Sequence, residues 1–73
     1  MSDIEQVKKE YHREATTLLS GFPEILQAFE QAWQAGQFRQ AHLVIHDATR
    51  QLVLKYSPQQ EKAFYDFYCL FVS

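Results

Sequence analysis

His42 and His46 are the residues of this chain whose type and spacing come closest to chemistry. They stand four apart in the run His42-Leu43-Val44-Ile45-His46. On a helix that spacing puts both imidazoles on one face, where they can reach a single metal ion. A zinc-protease helix carries a glutamate directly after its first histidine as general base; here that position holds Leu43. Two ligands make an incomplete site. A third would have to come from His12, a carboxylate or Cys69, and nothing in their spacing makes them converge. We expect no metal and no cofactor, and read the pair as boundary histidines that bond a neighbour or meet a partner. The alternative reading is a metal- or ligand-responsive helical sensor built on His42 and His46.

Other chemistry finds less support. Asp47 follows His46, but adjacent helix residues point about 100° apart, so the two do not form an orienting pair. Thr16, Thr17 and Ser20 fall where a helix ends and are expected to bond backbone rather than act as nucleophiles. Cys69 lies in an apolar segment and reads as a small hydrophobe. As the single cysteine it allows no intrachain disulfide. No glycine-rich phosphate loop occurs. A bundle of this size is also expected to leave little room for a substrate pocket, typically ~300–1,000 Å³. We expect no catalytic residues and no enzyme.

The elements that carry these residues are all helices. An all-α fold is expected: a compact four-helix bundle or pair of helical hairpins with antiparallel neighbours, forming one domain over residues 1–73. The predicted helices span 2–20, 23–35, 37–56 and 58–72. The first opens with Ser2 and Glu5 at capping-box spacing. Its seam is Ile4, Val7, Tyr11, Ala15 and Leu18, and Gly21 is expected to end it in the left-handed conformation. Pro23 suits the first turn of the second helix, and Gly36 ends that helix. Phe38, Ala41, Ile45, Ala48, Leu52 and Tyr56 form the stripe of the third. Ser57-Pro58 supplies the cap and first residue of the fourth. Phe29, Ile45, Leu52 and Phe64 are the expected core residues.

One stretch has a local likeness. Gly36-x-Phe38-x-x-Ala41-x-x-x-Ile45-x-x-Ala48 resembles the second-helix pattern of a tetratricopeptide repeat. The preceding helix lacks that repeat's pattern, and no second copy follows. The resemblance implies a close-packed antiparallel hairpin of helices two and three, and no repeat function.

The last predicted helix is where function is most legible. From Ala63 to Val72 only Asp66 is charged. At 100° per residue the apolar arc is roughly 260° wide, against little more than ~100° for an ordinary surface helix. Phe64, Phe67 and Phe71 can face the core. Tyr65, Tyr68, Cys69 and Val72 then face outwards and need a cover: a second copy or another protein. A further contact surface is expected on the third helix, where Leu43 and Leu54 flank Asp47, Arg50 and Gln51.

Charge and composition narrow the partners. The chain has 73 residues and a net charge of −2. A domain this small has a core that rarely supplies more than ~3–5 kcal/mol, which favours oligomerisation, and we expect a homodimer. Lys8, Lys9, His12 and Arg13 are interleaved with Glu5, Glu10 and Glu14, so the basic stripe of a nucleic-acid binder is missing. The N-terminus lacks a basic leader and apolar run, and no apolar run approaches ~18–20 residues. The expected location is cytoplasmic, with no membrane partner. The expected function is a small protein–protein interaction module: an adaptor, an inhibitor or antitoxin-like regulator, or a chaperone.

Overall fold

The computed structural model describes residues 3–72. The chain forms α1 (Asp3–Leu18), α2 (Pro23–Gln34), α3 (Phe38–Leu52) and α4 (Pro58–Phe67), followed by a π-helical turn, Tyr68–Val72. No strand occurs among the described residues. The fold is an all-α bundle of four helices. The Ser2–Glu5 capping box lies outside the described residues.

Two pairings organise it. α3 folds back along α2, as the resemblance to a close-packed hairpin implies, and α4 packs along α1. The π turn then leans on α3. Tyr11, Ala15 and Leu19 line the core from the first helix and its exit, and Phe29 and Ala32 from α2. Ala41, Ile45 and Ala48 face it from α3, and Ala63, Phe64 and Phe67 from α4. The alanines let backbones approach while the rings fill the space between them. Tyr11 sits among those rings: it stacks on Phe67 with centroids 3.7 Å apart and an interplanar angle of 12°. The edge of Phe64 meets it at 5.3 Å.

The expected core holds at Phe29, Ile45 and Phe64 and fails at Leu52, which is 40% exposed. Leu52 is the last residue of α3, so the buried stripe stops one turn earlier, at Ala48. Leu19 is fully buried instead. It lies just past α1, but its N–H still donates to the Ala15 carbonyl at 3.0 Å, which keeps it on the Tyr11–Ala15 face. Ile4, placed on that seam by periodicity, is exposed.

The ends of α2 and α3 share one feature, an N–H that reaches back five residues across a left-handed residue. At the first, Gln37 N–H reaches back to the Ala32 carbonyl (2.9 Å) and Gly36 N–H to that of Trp33 (3.0 Å). This is the wrapped Schellman end, with Gly36 left-handed at φ 75°. At the second, Leu54 N–H reaches the Thr49 carbonyl at 3.1 Å. The left-handed residue there is Val53, φ 53°. The third helix therefore ends four residues before the Tyr56 expected from periodicity. Gly21 is not left-handed; α1 ends at Leu18, and a tight turn closes with Phe22 N–H on the Leu19 carbonyl at 2.9 Å.

α4 begins as expected. The Ser57 hydroxyl accepts from Gln60 N–H (3.1 Å), and the Gln60 side-chain carbonyl accepts from Ser57 N–H (3.0 Å). This reciprocal box satisfies two orphan donors at once, with Pro58 as the first helical residue.

Candidate functional site

The C-terminal segment has two flanks. Phe64 and Phe67 are buried, and Phe71 stacks on Phe67 at 4.7 Å and meets Phe38 edge-on at 5.3 Å. On the other flank Tyr65 is 68% exposed and Leu70 52%, with Tyr68 and Cys69 also exposed. Tyr65 and Tyr68 therefore stand where periodicity puts them. Val72 does not. It is half-buried against the core, whereas Leu70 is exposed.

The π turn explains the inward position of Val72. An i→i+5 helix turns less per residue than an α-helix. Four and five residues beyond Phe67, that underwinding brings Phe71 and Val72 towards the inner face and leaves Leu70 outside. Arg39, in the first turn of α3, donates from Nη2 to the Val72 carbonyl at 3.0 Å. A cation on the last carbonyls of a helix satisfies an acceptor and complements the dipole.

Because α4 lies along α1, an open groove of about 770 Å³ remains between α3 and α4. Its walls are His42 and His46 from α3, Phe64, Tyr65 and Tyr68 from α4 and the π turn, and Tyr56 from the connection. Pro58, Glu61 and Lys62 form the rest of its lining. The groove lies between helices that do not pack closely on each other, and it is an open surface groove and not an enclosed pocket. Lys62 is paired with Asp66 at 3.0 Å, and this bond holds its ammonium above the usual range.

The two histidines differ. His46 is exposed. His42 is half-buried, with Nδ1 3.3 Å from the hydroxyl of Tyr11 and its ring 5.6 Å from that of Tyr68. Tyr11 is fully buried, and its hydroxyl has no other partner among the described residues. A buried O–H left without an acceptor is costly. The hydrogen-bond network therefore assigns Tyr11 as donor to Nδ1, which puts the proton of neutral His42 on Nε2. Burial, reinforced by neighbouring His46, pushes the pKa of His42 below its ordinary value. Burial, with Tyr56 adding to it, raises the Tyr11 phenol far above its own.

This tautomer bears on metal binding. Nε2 could become a ligand only by moving its proton to Nδ1, which would take from Tyr11 its acceptor. The other donors lie elsewhere. His12 is joined to the Glu30 carboxylate, tying α1 to α2 beside Trp33. Cys69 interacts with Tyr65 one turn away; their hydrogen bond raises the Tyr65 phenol. Among the described residues no three His, Cys, Asp or Glu side chains converge.

The residues of the second expected surface lie on α3 and just beyond its end. Leu43 is exposed on α3, and Arg50 lines a shallow hollow with Asp47 and Gln51. Leu54 lies beyond the helix end and is half-buried, because the left-handed Val53 redirects the chain. Of the helix-end hydroxyls, Thr17 donates to the Arg13 carbonyl (3.0 Å) and Ser20 to that of Thr17 (2.9 Å). The buried Thr16 hydroxyl has no hydrogen-bond partner among the described residues.

Sequence reading missed two groups that shape the groove. Tyr11 is 31 positions from His42, and no local pattern links them. Tyr56, expected on the third helix, instead holds the connection, its hydroxyl 2.9 Å from Thr49 Oγ1 and its ring edge-on to Phe64 at 4.8 Å. No protein family, curated protein or solved structure matches the chain. Among the described residues no helix is long and apolar enough to cross a membrane.

Proposed function

We propose that this domain is a protein-interaction module, and that its partner covers the outer flank of the C-terminal segment and enters the groove beside it. The observation that carries the reading is that Tyr65 and Tyr68 stand exposed on the wall of an open, ring-lined groove, with Leu70 exposed two residues further along the segment. Exposed apolar surface beside a groove marks interaction sites, and tyrosine is enriched among interface anchors. The inner flank already anchors the segment, so a partner meets a fixed surface and little ordering entropy opposes binding. The reading draws on the outer flank and the groove, not on the second expected surface on α3, Leu43, Arg50 and Leu54.

The test is capture from cells that make the protein, with the wild type and the Tyr65→Glu, Leu70→Glu variant immobilised in parallel. A protein held by the wild type and lost from the variant is the expected result. Equal retention by both, or retention by neither, overturns the reading. The metal-responsive alternative has the Tyr11–His42 hydrogen bond against it. Stoichiometric metal in protein purified without an affinity tag would restore it.

A further inference from the structure

The apolar stripe of α3 continues in the sequence through Leu52 to Tyr56, and residues 53–56, Val-Leu-Lys-Tyr, contain neither glycine nor proline. The first stop signal is Ser57-Pro58. The helix nevertheless ends at Leu52, with Val53 left-handed at φ 53°. A β-branched residue is poorly suited to that conformation. Val53 is 77% exposed, so little burial offsets the strain. The turn sends α4 across to α1, where Gln60, Ala63, Phe64 and Phe67 become buried. A helix-competent stretch is thus bent so that α4 can reach a site on its own chain.

We propose that residues 53–57 are a hinge, and that the chain pairs with a second copy by exchanging α4 together with the π turn. In the exchanged dimer α3 runs on as helix through Tyr56, Val53 returns to right-handed geometry, and each α4 packs on α1 of the other copy. The second copy is the occupant because it presents the same α1 surface, complementary to α4 down to the Tyr11–Phe67 stack. Contacts outside the hinge are re-formed between copies, so the hinge sets the balance between closed monomer and exchanged dimer. Tyr56 is the latch of the closed form, through its hydroxyl contact with Thr49 (2.9 Å) and its edge-on packing against Phe64 (4.8 Å). The proposal is independent of what binds the outer flank.

Sedimentation of the full chain over a concentration series, with two hinge variants, tests the balance. Val53→Gly removes the left-handed strain and weakens the continued helix. Counting two hinges, it should raise the dimer dissociation constant on the order of 30- to 1,000-fold. Tyr56→Phe removes the latch hydrogen bond and should lower it on the order of tenfold. Exchange is distinguished from abutment by Glu10→Cys with Lys62→Cys on a Cys69→Ser background. The native residues line one hollow between α1 and α4. A short bis-maleimide applied to isolated dimer should join two chains on a denaturing gel. Links within single chains would overturn exchange while leaving self-association standing. Monomer at every concentration in both wild type and Tyr56→Phe, or a dimer indifferent to Val53→Gly, would overturn the proposal and leave the outer-flank reading untouched.

Discussion

Along the inner flank of the C-terminal segment, Phe64, Phe67 and Phe71 pack on rings from the first three helices. Along the outer flank, one or two residues away in sequence, Tyr65 and Tyr68 stand in solvent on the wall of an open groove, and Leu70 is exposed beyond them. Both flanks are rich in aromatic residues. What separates them is the hydroxyl: the segment's buried rings are phenylalanines and its exposed rings tyrosines. A phenol taken from water needs a partner. Tyr11 is the exception that explains the pattern, since it is fully buried and its O–H has His42. Aromatic density thus marks a segment as important without saying whether it builds the core or meets a partner; the polar atom on the ring carries that information.

The largest test of the contrast is Phe67→Ala. Phe67 is fully buried and contacts Tyr11, Trp33, Phe38 and Phe71. Truncation should cost about 3–5 kcal/mol in chemical denaturation, from lost transfer energy and the cavity left behind. For a domain of this size that is a large part of the total stability. A loss near that of a surface substitution would mean that the inner flank is not the core.

How much of this contrast the sequence carries depends on whether the cause is local. Pro23, Gly36 and Ser57-Pro58 mark helix ends by their own chemistry, and the structure uses them so. The Gln60 half of the capping box was equally open to reading, three residues after Ser57. Phe29, Ile45 and Phe64 lie mid-face on their helices, and their burial follows from periodicity. Leu52 and Leu19 lie at helix ends, where a shift of a few residues decides burial. Val53 gives no sign in its own side chain that it will turn left-handed; the pull comes from α4 docking on α1, far away in sequence. Val72 turns towards the core because the last turn widens into a π-helix, and a fixed 100° per residue cannot represent that. The groove follows from which helices pair, and the Tyr11–His42 bond from packing; neither leaves a local trace.

A smaller effect is expected where the two flanks meet. Tyr11→Phe keeps the ring and its stacking but removes the donor to His42 Nδ1. The net worth of such a bond is about 0.5–1.5 kcal/mol. Denaturation should show a loss in that range, far below that of Phe67→Ala. A loss as large as the truncation would mean that the hydroxyl, not the ring, holds the centre of the core.

His42 should also make stability depend on pH, with a definite sign. Its folded pKa is depressed by burial, and by His46, below the free value of 6.5. Above that value folded and unfolded chains both hold the ring neutral, and its contribution is fully present. As pH falls below 6.5 the unfolded chain takes up a proton that the folded chain resists, so stability declines. The decline levels off once pH passes below the folded pKa. Denaturation midpoints between pH 7.5 and 5, compared with those of His42→Gln, isolate this part of the slope. A wild-type slope no steeper than the variant's would show that His42 is not held neutral by the fold.

The smallest expected effect is the sharpest form of the comparison. Tyr65 is as bulky as Phe67 and lies two residues before it, but two-thirds of it is in water. Its hydroxyl interacts with Cys69 on the same exposed flank, one turn away, so no core contact depends on it. Tyr65→Ala should therefore change stability by no more than about 0.5 kcal/mol, the range of ordinary surface positions. Alanine's higher helix propensity offsets part of what the ring's partial burial contributes. Measured beside Phe67→Ala by the same denaturation, the pair should differ several-fold. If Tyr65→Ala approached the cost of Phe67→Ala under conditions where the chain is monomeric, the ring would be covered by its own domain and the outer flank would lose its claim as a binding surface. If the cost appeared only at concentrations where chains associate, the missing cover would be a second copy.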